Sequence, residues 1–404
     1  MIPEVLIAAG VYASTVYMKH ANSGSDKQKL DRIFRKCGLS RKYDSKEETA
    51  KLIRHSKKEG YSEYAYRIPE GFSHHDFLKK QDAIEDSLNA HTGVVTLSDL
   101  RQVNVSGDIK RQIQKVMKSK RTRKELVMSY DKVLTLKIFD KPMPEFVKYE
   151  NNCNGWKVPI GVTRTEYIKH DFEKIMHMVV AGTTRYGKSI FLKNAITTLI
   201  SNQPHNVIFT LIDLKGGLTF SRFRNCSQVQ CIASDVTESM GALEQINRDM
   251  DEVMEHFKQK GFENVAEAKL PTRHFIIVDE GAELSPKIER DPDLRDIKNK
   301  CETYLSRIAR IGGALGYRLI YATQTPYSEV LNHNIKQNCD AKLCFRLQTD
   351  KASEVVLGES IVDAGRLPHI KGRAVYLTDR KYIVQTPLIE NDYIEGVISN
   401  DIQQ

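Results

Sequence analysis

The chain has 404 residues, a formal charge of +9, and 40% hydrophobic against 28% charged residues. That length buries enough apolar surface for two or three domains without disulfides or structural metal, and this composition excludes a disordered or fibrous protein. The seven cysteines form no CxxC pair and no Cys/His zinc spacing, so a zinc module is excluded and a reducing, cytoplasmic setting is the simplest reading. The basic balance points to a polyanionic partner, either nucleic acid or an anionic membrane surface.

Val5 to Met18 (VLIAAGVYASTVYM) is a weakly polar run followed by Lys19 and His20. It is shorter than the ~20 apolar residues of a spanning helix. No charged residue other than Glu4 precedes it, and no small-residue cleavage site follows, which argues against a secretory signal. Lys27, Lys29, Arg32, Arg35, Lys36, Arg41 and Lys42 come next, so an anchor here would leave the rest of the chain on the cytoplasmic face. For residues 1–20 a single membrane anchor and an amphipathic helix both stay open.

Residues 21–60 alternate charge with turn signals and read as a tether with short helices. Residues 61–150 read as a small α+β domain. There SEYAYRIP suggests a strand and Ser73 caps a helix whose inner stripe is Phe77, Ala83, Ile84 and Leu88. Val94 to Leu100 and Lys132 to Phe139 suggest further strands. Between them lies a basic stretch with Lys110, Arg111, Lys115, Lys118, Lys120, Arg121, Arg123 and Lys124, and no acid until Glu125. Phosphate contact and a solvated helix face explain it equally well. From 151 to 404, apolar runs without alternation (MVVAG, VIFTLID, FIIVDE, YRLIYATQ, AKLCFRL, RAVYL) alternate with helical patterns, as in a parallel sheet covered on both faces. The fold class expected is α/β.

The sharpest chemical signal is Gly182-Thr183-Thr184-Arg185-Tyr186-Gly187-Lys188-Ser189, a GxxxxGK[ST] loop between a strand-like and a helical segment. Its glycines let backbone N–H groups face phosphate oxygens at a helix N-terminus, Lys188 neutralises the β- and γ-phosphates, and Ser189 offers a hydroxyl to Mg²⁺. ATP with Mg²⁺ is the implied ligand. Asp279 and Glu280 end an apolar strand and supply a metal-holding carboxylate and a group that orients the attacking water. Gln324, at the end of Arg318-Leu-Ile-Tyr-Ala-Thr-Gln, is the candidate γ-phosphate sensor, although a strand-end polar residue that satisfies backbone groups has the same appearance.

With these residues in view, the stretch from Trp156 to Leu388 resembles the motor domain of FtsK/SpoIIIE-type DNA translocases, whose wider relatives are HerA-like ATPases and conjugative coupling proteins. The resemblance rests above all on Asp213-Leu-Lys215-Gly216-Gly217 and Ala322-Thr323-Gln324-Thr-Pro326, together with the P-loop and FIIVDEGAEL. It implies a RecA-like P-loop core, a homo-hexameric ring around DNA, and an arginine reaching a neighbour's γ-phosphate; Arg307, Arg310 and Arg346 are the candidates. The chain departs from the family pattern at Thr325, at Gly313, and at Ala352-Ser353-Glu354. The chain's end soon after Pro387 leaves no room for a winged-helix DNA reader, which suits DNA transfer by a mobile element more than sequence-directed chromosome pumping. The alternative is a nucleotide-gated, DNA-binding assembly module that works with a relaxase or secretion partner.

Overall fold

A computed structural model describes residues 26–43, 46–89, 123–324, 326–327 and 330–402. The chain divides into two compact units, Met1–Met143 and Pro144–Gln404.

In the first unit, helix α1 (Asp26–Lys36) leads into the hairpin β1 (Ser40–Tyr43) and β2 (Lys46–Thr49). Strands β3 (Lys51–Lys58) and β4 (Tyr61–Arg67), helices α2 (His74–Lys79) and α3 (Gln81–Asn89), and strands β5 (Glu125–Asp131) and β6 (Val133–Phe139) follow. The larger sheet is antiparallel with order β3-β4-β6-β5. Leu134, Leu136 and Ile138 alternate onto its buried face. There Phe34 meets Tyr66 and Phe77 edge-on, with ring centroids 5.2 and 5.5 Å apart.

Phe34 lies within the segment read as a tether. Leu30, Ile33 and Phe34 form the i, i+3, i+4 stripe of α1 and belong to this core, so the segment does more than connect. Its high charge hid that stripe. Ser73 does stand at a helix start, its N–H and hydroxyl both donating to Asp76 Oδ2 at 2.8 and 2.7 Å. The helix breaks at Lys80, yet Phe77 and Ile84, seven residues apart, are buried as read; Ala83 is exposed, because it lies about 100° around the helix from Ile84 and so off the inner stripe. Val94 to Leu100 and the basic residues Lys110, Arg111, Lys115, Lys118, Lys120 and Arg121 lie outside the described residues. Arg123, at the end of that stretch, pairs with Glu85 and Asp86 at 3.1 and 2.8 Å.

The second unit is built on a ten-stranded sheet. In chain order its elements are β7 (Lys157–Val162), β8 (Tyr167–Asp171), β9 (Met178–Ala181), α4 (Lys188–Asn202), β10 (Val207–Ile212), β11 (Val229–Ala233), α5 (Val236–Lys260), β12 (Arg273–Val278), α6 (Pro292–Arg307), β13 (Tyr317–Thr323), α7 (His333–Asn338), β14 (Ala341–Phe345), α8 (Asp350–Leu357), α9 (Asp363–Arg366), β15 (Arg373–Leu377), β16 (Lys381–Gln385) and α10 (Asn391–Ile402). Strands β11-β10-β12-β13-β9-β14 run parallel, as their continuous apolar sequences require. Strands β15, β16, β7 and β8 then extend the sheet antiparallel. One hydrophobic cluster lies on each face. Asp235 caps α5 by accepting from Glu238 N–H at 2.8 Å, and Gly261 closes it in the left-handed conformation at φ 74°.

An ion cluster ties two of the parallel strands to the loop after β8. Glu173 accepts from Arg273 Nε and Nη2 at 2.9 and 2.8 Å and from Arg318 Nη2 at 2.9 Å, and Arg318 is only 1% exposed. Burial opposes the Glu173 charge, but the two guanidiniums outweigh it and hold the carboxyl below its ordinary 4.5.

Candidate nucleotide site

The parallel strands β9, β12 and β13 end side by side, and the chemistry-bearing residues leave the sheet at that edge. After β9 the chain turns through the glycine loop into α4. Thr183 N–H and Oγ1 donate to Arg346 O at 3.1 and 2.9 Å, which fixes the loop's entry on β14. At its exit Gly187 adopts φ 127°, a conformation that favours glycine. A Cβ at Gly187 would lie 2.8 Å from Phe345 Cε1, and one at Gly182 would lie 2.6 Å from Phe345 Cβ. Both loop glycines therefore rest against one buried ring. Tyr186 braces the middle of the loop: its carbonyl accepts from Gly372 N–H at 2.8 Å, and its hydroxyl lies 2.8 Å from His369 Nδ1.

Lys188 is 4% exposed, and its ammonium lies 2.6 Å from Asp279 Oδ1 while also donating to the Asp279 carbonyl. Glu280 Oε2 is 4.0 Å away. Burial pushes the lysine below its ordinary range, and Asp279 and Glu280 push it back. Asp279 is fully buried and accepts from the Thr219 hydroxyl at 3.1 Å. Glu280 Oε1 accepts from the Thr323 hydroxyl and from Gln324 N–H, both at 2.9 Å. The Gln324 side chain in turn accepts from Thr184 Oγ1 at 2.8 Å. Gln324 thus bridges the phosphate loop and the second acid.

Sequence reasoning assigned no role to Lys215, Thr219 or Phe345. Asp213, fully buried at the end of β10, accepts from Thr219 N–H and Phe220 N–H at 2.5 and 3.3 Å, and Gly216 and Gly217 turn at φ 75° and 74°. The turn carries Lys215 Nζ to 3.7 Å from Asp279 Oδ2 and 3.5 Å from Glu280 Oε2. The signal was present in Asp-x-Lys-Gly-Gly, but which residues the turn would deliver depends on its three-dimensional course. The site therefore sets two cations, Lys188 and Lys215, against two carboxylates.

The candidate trans arginines separate by environment. Arg307 donates to Asp251 and to Asn247 O, the latter at 3.2 Å. Arg346 donates to Leu367 O. Arg310 is exposed and shares with Arg307 a polar cleft lined by Ser306, Asn332 and Asn334.

A strand, a glycine loop and a helix, with a buried carboxylate on the neighbouring strand, define a P-loop ATPase. Residues 147–273 match the FtsK/SpoIIIE family model, so this part of the chain is an FtsK/SpoIIIE-type domain. The DNA translocase SpoIIIE of Bacillus subtilis is 25% identical over 303 residues, 69% of this chain and 35% of that protein. The type VII secretion system protein EssC of Staphylococcus aureus is 34% identical over 217 residues, half of this chain and 14% of that one. The chain thus spans about a third, or less, of the length of these curated relatives. Among solved structures, the conjugation coupling protein TcpA of pCW3, a monomer form with ATPγS, superposes with a TM-score of 0.62 at 20% identity, covering 93% of this chain and 98% of that one. At that identity the likeness shows the fold. No helix among the described residues is long and apolar enough to cross a membrane, and Val5 to Met18 lie outside those residues.

Proposed function

We propose that this chain is an ATP-driven motor that moves DNA for a mobile element, working as a homo-hexameric ring. The observation that carries the reading is the connected chain Lys188–Asp279–Glu280–Thr323/Gln324–Thr184, which links the phosphate loop to both acids and to a sensor. When ATP enters, its phosphates take over Lys188 from Asp279. Ser189 at the start of α4 and the buried Asp279 offer hard oxygen donors of the kind Mg²⁺ prefers, and the bound ion would neutralise charge on the phosphates. Glu280, held by two donors, orients the attacking water, and Gln324 couples the state of the phosphate loop to β13. Arg310 is the arginine assigned to the neighbouring subunit's γ-phosphate, because Arg307 and Arg346 are engaged within their own chain.

DNA as the substrate is supported by the FtsK/SpoIIIE domain, the similarity to a named DNA translocase and the net charge of +9. The coupling-protein fold supports a transfer role beside a relaxase or secretion partner. Two other readings remain. A secretion role is favoured by the 34% identity to a type VII secretion system protein, and a nucleotide-gated assembly module without processive movement fits a site in which Lys188 is held by its own acid. The steady-state ATPase rate of the full chain, with and without double- and single-stranded DNA, separates them. The motor reading expects several-fold stimulation that Lys188→Ala abolishes, whereas turnover indifferent to DNA would sink it.

A further inference from the structure

Lys188 and Lys215 face the same two carboxylates but are held in opposite ways. Lys188 is buried and sits 2.6 Å from Asp279 Oδ1, the distance of a strong charge-assisted hydrogen bond. The Lys215 side chain is 39% exposed, and its ammonium stops 3.7 Å from Asp279 Oδ2 and 3.5 Å from Glu280 Oε2, both beyond that range. Among the described residues its ammonium has no other partner. The backbone beneath it is fixed. Asp213 accepts from Lys215 N–H at 3.3 Å and from Thr219 N–H at 2.5 Å, and the Thr219 hydroxyl donates to Asp279 Oδ2 at 3.1 Å. A loosely held cation on a fixed base thus faces the acid pair.

We infer that Lys215 is a second phosphate-binding cation, which contacts the γ-phosphate of ATP and makes the site prefer a triphosphate to a diphosphate. The inference rests on the nucleotide-binding reading above. Glu280 Oε2 is 4.0 Å from the Lys188 ammonium and 3.5 Å from the Lys215 ammonium, so the two cations are at most 7.5 Å apart. One phosphate group held between two ammoniums, with an oxygen about 2.8 Å from each, spans that gap. Lys188 belongs to the phosphate loop and fixes one side of that group. Lys215, beside the acid assigned to the attacking water, meets the other side, where the terminal phosphate ends. Charge makes the same demand. The empty site balances two cations against two buried carboxylates, and a γ-phosphate brought up to Glu280 sets anion against anion. Away from bulk water that contact is costly unless a cation lies beside it. ADP ends one phosphate short of Glu280 and does not make the contact. A lysine that merely balanced the empty site would instead serve both nucleotides alike.

The test is calorimetric titration of the full chain in Mg²⁺ buffer with ATPγS and with ADP, for wild type, Lys215→Met and Lys215→Arg. Lys215→Met is expected to weaken ATPγS about tenfold, the loss of one hydrogen bond between charged groups, and to leave ADP unchanged. ADP binding by that variant also shows that its phosphate loop is folded. Lys215→Arg, which keeps the charge, is expected to hold ATPγS more tightly than Lys215→Met does. Weakening of both nucleotides alike in Lys215→Met, up to loss of both, would make Lys215 a structural counterion, and unchanged ATPγS binding would make it idle; either result overturns the inference. A wild-type chain that binds neither nucleotide would instead overturn the phosphate-loop reading, and the role of Lys215 with it.

Discussion

The Lys188 ammonium lies 2.6 Å from Asp279 Oδ1, and both groups are buried. The phosphate-binding cation is thus occupied by an internal anion, and nucleotide must displace a carboxylate to reach it. Removing the lysine leaves a buried charge with Lys215 at 3.7 Å as its nearest cation. Lys188→Ala is expected to cost about 3 kcal/mol of stability without nucleotide, and the double variant Lys188→Ala/Asp279→Asn to regain most of it. Thermal melts of the four proteins check this; additive losses would show that the pair is not coupled.

Glu280 and Arg310 are assigned to opposite sides of one interface. Glu280→Gln keeps an acceptor for Thr323 and Gln324 but loses the anion, so turnover is expected to fall at least ~100-fold while ATP affinity stays near wild type. Arg310→Ala is expected to be equally slow. A mixture of the two variants pairs an intact Glu280 with an intact Arg310 at some interfaces and should recover measurable ATPase. Silence across all mixing ratios would remove Arg310 from its assigned role.

Phe345 is fully buried, and both loop glycines pack against its side chain. Phe345→Ala is expected to cost about 3–5 kcal/mol through the cavity it leaves and to weaken nucleotide binding as the loop loses its floor. Chemical denaturation measures the first and nucleotide titration the second. A variant with wild-type affinity would show that the loop holds its shape without the ring.

The Glu173 cluster gives a pH signature. Because the carboxyl is depressed in the fold, its stabilisation is present above the ordinary 4.5 and is lost as pH falls through the lower folded value. Glu173→Gln is expected to cost about 2 kcal/mol at neutral pH, discounted for its partial exposure. The difference from wild type should shrink as pH drops below 4.5. Parallel stability curves across that range would contradict the assignment.

Much of the site was legible because P-loop chemistry is local: Gly182 to Ser189 form one continuous turn, and Asp279 and Glu280 end one apolar strand. What escaped depends on contacts distant in sequence. Phe345 is far along the chain from the loop it supports, and Lys215 reaches the acids only through the turn folded on Asp213. Gly313 reads in sequence as a departure from the family pattern; a Cβ there would lie 2.4 Å from Met176 Sδ, so a larger residue would require the Met176 side chain to move. In the first unit, short helices were expected in the segment holding α1, but its core role was missed because charged residues flank its three core side chains, and Ala83 was misplaced because it lies about 100° around the helix from Ile84.

The central claim is movement of DNA, and the most direct measurement is displacement of a third strand from a triplex placed on linear duplex DNA. The account predicts ATP-dependent displacement by the wild-type chain that Glu280→Gln abolishes. ATP turnover stimulated by DNA without any displacement would contradict it and leave a nucleotide-gated assembly in place of a motor.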